Sequence, residues 1–449
     1  MSDQEEIGLG VNQTVTGNFT GESVARISSL QNEPSWMLER RIQAFQVFEQ
    51  LPLPKTNSES WRRTDIRGLD LEQFQLVISN KSQPNGKSPE FFSALEEGKR
   101  NSGLIIQKDA AVVYSALSDT LTDKGVYFAG FKAALDERPD LLKTYVCQTI
   151  QSEDNKFNAM HNAFLQSGYV LYIPKGVVVD LPLRVIVSLS GEAVADFSHT
   201  LVIAEADSQV TILEEHLSVD QQEKGLHCGG VEIFLGQNAF VNYAQIQNWN
   251  KKVWNFSTQR AKLERGANLR WITTSLGSRL SKLDQLVEMN GEGSHADLLG
   301  LTATHARQHI DIHTYQKHAV SNSTSNLLYR NVLKDRSRTV WRGMIEVQKD
   351  AQKIDSYQQN DNLILSKQAR ADTIPGLEIL ADDVRCTHGA TAGKIDQDQI
   401  FYLMSRGLSY NQAEQVIVNG FFESVLQRIP LEYLRNQLQE SIAGKLQLN

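Results

Sequence analysis

The chain has 449 residues, with 45 lysines and arginines against 53 aspartates and glutamates, a net charge of −8. That length leaves room for about three domains, and 41% hydrophobic with 22% charged residues is ordinary for a soluble globular protein. An acidic chain lacks the broad basic field that nucleic acid or an anionic membrane would need, three scattered cysteines exclude a disulfide framework, and no run of 18 apolar residues offers a membrane span.

Cys147, Cys228 and Cys386 form no CxxC pair, so the chain alone is a poor four-thiolate holder of zinc or an iron–sulfur cluster. Unpaired cysteines and a polar start at Met1–Glu6 point to a reducing compartment, the cytoplasm or, in a plastid-bearing organism, the stroma.

Residues 1–165 read as a mainly helical N-terminal domain. A helix begins after Pro34, carries Leu38, Ile42, Phe45 and Phe48 at helical spacing, and stops at Pro52 and Pro54. Asn80–Pro89 is a polar, turn-rich loop in which Asn85-Gly86-Lys87-Ser88 imitates the end of a phosphate-binding P-loop. That loop needs a glycine where Lys81 stands, so ATP hydrolysis is expected in a partner. Residues 104–115 read as strands and 131–145 as helical.

Residues 166–395 change character. Short β-prone runs such as 169–173, 184–187 and 231–235 alternate with polar turns. Apolar residues just past those turns fall at Val210, Phe240, Leu269, Ala296, Leu327, Ile354 and Val384, in steps of 30, 29, 27, 31, 27 and 30, a mean of 29. A period of this length in strands predicts a parallel β-solenoid, one coil per repeat; a two-sheet sandwich is the alternative. The ends of such a stack expose unpaired strand edges and call for a cap or a partner.

Residues 396–449 read as a C-terminal helical domain. Asp396 caps a run through Phe401, Tyr402 and Met404 that Gly407 ends. Ser409 and Gln412 form a capping box before Val416, Ile417, Phe421 and Val425, and Leu431, Leu434, Leu438 and Ile442 make a further stripe. Both stripes are open to internal packing or to docking a partner.

Two groups could carry chemistry. If 309–313 is a strand, His309, Asp311 and His313 share a face and could bind a divalent metal, although a polar surface ladder is the commoner use. In Val384–Thr391, Cys386 and His388 share a face, as a nucleophile–base pair or soft metal ligands would. A 28-residue step places Asn360 of the preceding coil beside His388.

Ala371–Thr391, with Asp398–Gly407, Val418–Phe421, Tyr172–Gly176 and Ser60–Asp65, resembles the SufB/SufD family of iron–sulfur cluster assembly proteins. SufB-type chains carry a glutamine–cysteine–aspartate run where this chain has Gln359-Asn360-Asp361, and glutamate–histidine–glutamate where it has Thr387-His388-Gly389. Without that cysteine the chain is similar to the SufD-type subunit. The resemblance implies a right-handed parallel β-helix between helical ends, a non-enzymatic role, and a heterodimer with SufB through the β-helix. It implies docking of the SufC ATPase on the C-terminal helices, with Phe401, Tyr402, Arg406, Gly407, Asn419, Gly420 and Phe421 in the matching segments. It also implies a transient iron–sulfur cluster shared with SufB near His388 and Cys386, with no stable cofactor of this chain alone. A flavin at the level of the complex and a homodimer of the isolated chain stay open. The other readings are a SufB-like homodimeric cluster scaffold, a β-helix carbohydrate-active enzyme and a purely structural platform.

Overall fold

The computed structural model describes residues 14–79, 101–429 and 432–446. The repeating unit is set by its corners. Asp207, Asn238, Gly266, Gly293, Asn322 and Lys353 all take positive φ, each just before a strand of the same sheet. A left-handed residue turns the chain sharply, and Asn, Asp and Gly adopt that conformation at least cost. These corners recur at the interval seen in the sequence.

The strands stack in parallel as a β-solenoid. One ten-stranded sheet contains, in spatial order, Gln209–Ser218, Phe240–Asn248, Asn268–Ser275, His295–Thr304, Thr324–Leu333, Ile354–Ile364 and Val384–Lys394. A twelve-stranded sheet contains Gly225–Leu235, Val253–Leu263, Leu280–Met289, His309–His318, Arg338–Val347 and Arg370–Ile379. The expected period of about 29 residues per coil is borne out, and two of the expected stacked pairs are in register: Leu269 lies opposite Ala296, and Ile354 opposite Val384. Others slip. Val210 faces Val241 and Ala296 faces Ser325, because coil lengths vary with the corner loops.

Between the sheets lies an apolar core that includes Val241, Leu269, Trp271, Leu298 and Trp341. A line of polar side chains crosses it. Buried Glu214 accepts hydrogen bonds from Tyr169 at 3.0 Å, Tyr243 at 2.8 Å and Gln245 at 3.1 Å. Gln259 donates to Gln245, Gln285 to Gln259, and Tyr329 to Gln285, at 2.6, 3.1 and 2.9 Å. Burial alone would raise the Glu214 pKa; hydrogen bonds from His216, Tyr243 and Gln245 outweigh it and hold the group at about 2. A satisfied polar line of this kind fixes one register where apolar contacts alone would tolerate slippage.

The N-terminal third closes one end of the stack. Gly103–Lys108 pairs in parallel with Leu183–Leu189 and carries the hairpin strand Ala111–Leu117, while Gln75–Ser79 pairs with Val194–Asp196. Helices Gly21–Gln31, Ser35–Gln50 and Lys156–Phe164 pack alongside through Phe45, Phe48, Phe164 and Phe197. Within Ser35–Gln50 the buried side is Met37, Arg41, Ala44 and Phe48. Ile42, expected inside, is exposed. The turn-rich stretch 80–89 and its P-loop imitation lie outside the described residues.

Candidate functional site

The far end of the solenoid is open. In the inner coils strands such as Gly225–Leu235 are buried almost throughout; in the last two, Arg370–Ile379 and Val384–Lys394, partly and fully exposed residues take over. Among the described residues Val384–Lys394 pairs only with Ile354–Ile364, so its other edge presents backbone groups that no described strand pairs.

Cys386 and His388 sit on this strand. They stand opposite Ser356 and Gln358, whose side chains are buried at 1% and 0% exposure, so they lie on the face that lines the coil interior. His388 is exposed there because the stack ends with its own strand, and Cys386 is half-buried against the small core of Ile345, Val347, Ala351 and Ile354. Burial, with Asp355 nearby, pushes the Cys386 thiol above its ordinary pKa, so it is held as a thiol at neutral pH.

One expected neighbour is displaced. His388 pairs with Gln358, and Asn360 pairs with Ala390, because the last coil is 30 residues long at this point and not 28. Gln358 donates to the Gly376 carbonyl at 2.9 Å, and its Oε1 is buried without a partner. Leu377, Ile379, Leu380 and Tyr357 are exposed apolar side chains of the same two coils. The sequence reading missed Gln358 and this apolar set; an alternation that stops burying its inner face was the available signal.

The C-terminal helices lie on the outer flank of the ten-stranded sheet. Asp396 caps Gln397–Ser405, and the Ser409–Gln412 capping box opens Tyr410–Leu426. Val418, Phe422, Val425, Leu434, Leu438 and Ile442 pack on Leu213, Ala244, Ile272, Leu299 and Leu328 of the solenoid. The stripe at Leu434, Leu438 and Ile442 therefore serves internal packing; Leu431, its first member, lies outside the described residues. Of the residues matched to partner docking, Phe401 (73% exposed), Tyr402, Arg406, Gly407 and Gly420 face solvent. Asn419 and Phe421 are half-buried, and Arg330 lies over the Phe421 ring at 5.0 Å. Met404, Tyr410 and Val416 extend the exposed apolar surface.

His309, Asp311 and His313 do come together, on the outer face beneath the N-terminal segment. Thr64 Oγ1 donates to Asp311 and lies 2.9 Å from His309 Nε2. The Lys282 ammonium is 2.8 Å from Asp311 and 3.2 Å from His313 Nε2, and donates to the Ser60 carbonyl. It also sits over the Trp61 ring at 4.8 Å. A cation of the chain itself thus neutralises the carboxylate, and the group clamps Ser60–Asp65 to the solenoid. Burial would raise the Asp311 pKa, but Lys282 and His313 hold it well below the ordinary carboxylate range.

The chain matches the family model described as SUF system FeS cluster assembly, SufBD core domain, over residues 187–421, and that of the SufBD protein N-terminal region over 24–185. It is similar to an iron-sulfur cluster assembly SufBD family protein of Staphylococcus saprophyticus, 30% identical over 426 residues, which are 92% of this chain and 90% of that protein. A protein of the same description from Staphylococcus aureus MRSA252 is 29% identical over the same shares.

Proposed function

The chain belongs to the SufBD family of iron–sulfur cluster assembly proteins, and on that premise we propose that it is the SufD-type subunit, a non-enzymatic half of a cluster-building heterodimer. The observation that carries the reading is the uncovered last coil, which carries His388 on its interior-facing side beside an unpaired strand edge. A SufB-type partner docks there, through backbone pairing and the exposed apolar residues of the same coils.

In this reading the nascent cluster is cargo. A single imidazole holds iron weakly by itself; opposite a partner's thiolate it completes a shared, releasable site. His388 supplies that nitrogen or relays a proton. Cys386, held as a neutral thiol and packed on apolar neighbours, is secondary. The chain shows no P-loop in its sequence, so the work of ATP falls to a SufC-type subunit, docked on the exposed face of the C-terminal helices. The absence of paired cysteines suits a reducing compartment such as the cytosol or stroma.

The test is co-expression with the SufB- and SufC-type partners, followed by iron and sulfide analysis of the purified complex. His388→Ala is expected to leave assembly intact and to lose most of both elements, while Cys386→Ser loses less. Undiminished iron and sulfide in a fully assembled His388→Ala complex would reject the role.

A further inference from the structure

Far from the open coil, four residues with no common motif converge: Cys147, His161, His199 and Glu232. The side chains of His199 and Glu232 have no exposed surface. One ligand atom each from Cys147, His199 and Glu232 lies within 4.8 Å of the other two. The Glu232 carboxylate is gripped by the loop that carries the cysteine: it accepts from the backbone N–H of Cys147 at 2.6 Å and of Thr149 at 2.5 Å, and from the Thr149 hydroxyl at 2.7 Å. Cys147 takes a left-handed φ of 52° within that loop.

His161 Nδ1 is 2.8 Å from the Cys228 carbonyl, which can only accept, so Nδ1 carries a proton. Both rings are buried. His161 Nε2 faces His199 Nδ1 at 3.0 Å, close enough to share one hydrogen bond. His199 Nε2, on the other side of that ring, is turned to Glu232. This nitrogen is 3.1 Å from Glu232 Oε2, yet among the described residues it has no aligned hydrogen-bond partner. A buried imidazole nitrogen without an aligned partner, a carboxylate oxygen and a thiol sulfur within 4.8 Å of one another make a compact donor set for a cation. The relay through His161 is the one by which metal-bound histidines are oriented, the second ring nitrogen donating to an acceptor behind. Room for it is built in: a Cβ on Gly230 would lie 2.5 Å from His161 Nε2 and 2.8 Å from His199 Nδ1.

We infer that Cys147 Sγ, His199 Nε2 and a Glu232 carboxylate oxygen bind a divalent transition-metal cation, Zn²⁺ by the mixture of donors. Three such ligands match a tetrahedral ion with one remaining position for water. On binding, the metal takes the place of the Cys147 thiol proton, which leaves to solvent; thiolate and carboxylate together balance its two charges. The site is separate from His388, so the fate of either assignment leaves the other standing.

Co²⁺ alone, titrated into the full-length, reduced, metal-stripped protein, is the probe. One equivalent is expected to give visible bands of tetrahedral Co²⁺ with a near-ultraviolet thiolate-to-cobalt band, to release about one proton per ion, and to be displaced by Zn²⁺. Cys147→Ser should abolish the thiolate band and His199→Ala should weaken binding at least tenfold, whereas Cys228→Ser and Cys386→Ser keep both. Absence of the bands and of proton release in the folded wild-type protein overturns the site, without recourse to any variant. So does a thiolate band that survives Cys147→Ser, or one that vanishes with Cys386→Ser.

Discussion

Arg41 has no exposed side-chain surface, and neither has Glu33, its partner. The guanidinium grips the carboxylate through Nε at 2.8 Å and a terminal nitrogen at 2.6 Å, and its other terminal nitrogen donates to the Ala163 carbonyl at 3.2 Å. Removing one member strands the other in the core. Arg41→Ala is therefore expected to cost about 3–5 kcal/mol, while Arg41→Met combined with Glu33→Leu recovers most of that loss. Chemical denaturation followed by circular dichroism measures both; a loss under about 1 kcal/mol for the single variant would contradict the account. The pair also explains the one place where hydropathy misreads this helix. Leu38, Phe45 and Phe48 lie in or against the core as the stripe predicts, but Ile42 is exposed while Arg41, with each nitrogen hydrogen-bonded, takes a core position. Cys147, His199 and Glu232 escaped the sequence for a related reason: they are far apart along the chain, and only the coil register and one folded loop unite them.

At the scale of elements, the solenoid was legible because each coil repeats the same physical demand, a left-handed corner followed by a strand. Register was less legible. Corner loops of different length shift the stack by a residue or two, and that moved Gln358, not Asn360, beside His388. Helix caps at Asp396 and Ser409 were read correctly because capping is local chemistry. What the terminal helices pack against stays open in the sequence, since an apolar stripe looks the same on a docking helix and on one laid against its own sheet. This decides how docking is tested. Deleting everything after residue 407 would uncover Leu213, Ile272, Leu299 and Leu328 and damage the solenoid itself. Substituting the exposed side chains avoids that. Phe401→Asp with Val416→Asp is expected to lower binding of the SufC-type subunit at least tenfold, with SufB-type pairing and thermal stability unchanged. Retention of the ATPase in a pull-down with this variant would move the docking surface elsewhere.

The whole molecule is closed at one end and open at the other. Strands and helices of the N-terminal third cover the first coils, whereas Val384–Lys394, 11 residues long, has one edge that no described strand pairs and carries only Arg385 and Lys394 as charges. Proteins that live alone blunt such an edge with charge, proline or a bulge, because it templates pairing with any other strand. Here the edge is bare and flanked by exposed Leu377, Ile379 and Leu380, which suits half of an assembly better than a finished monomer. A symmetric pair of copies can satisfy the same edge when the natural partner is missing. The isolated chain is therefore expected to form a reversible homodimer whose fraction rises with concentration and falls when the SufB-type subunit is added. Thr387→Lys with Ala390→Lys places two charges on exposed positions of the edge strand, so it should shift the chain to monomer and weaken the heterodimer together, with little change in melting temperature. Sedimentation velocity on the wild-type and doubly substituted chains decides the matter. A wild-type chain that stays monomeric at high micromolar concentration, or a homodimer indifferent to both lysines, would show that this edge is not where the molecule meets its partner.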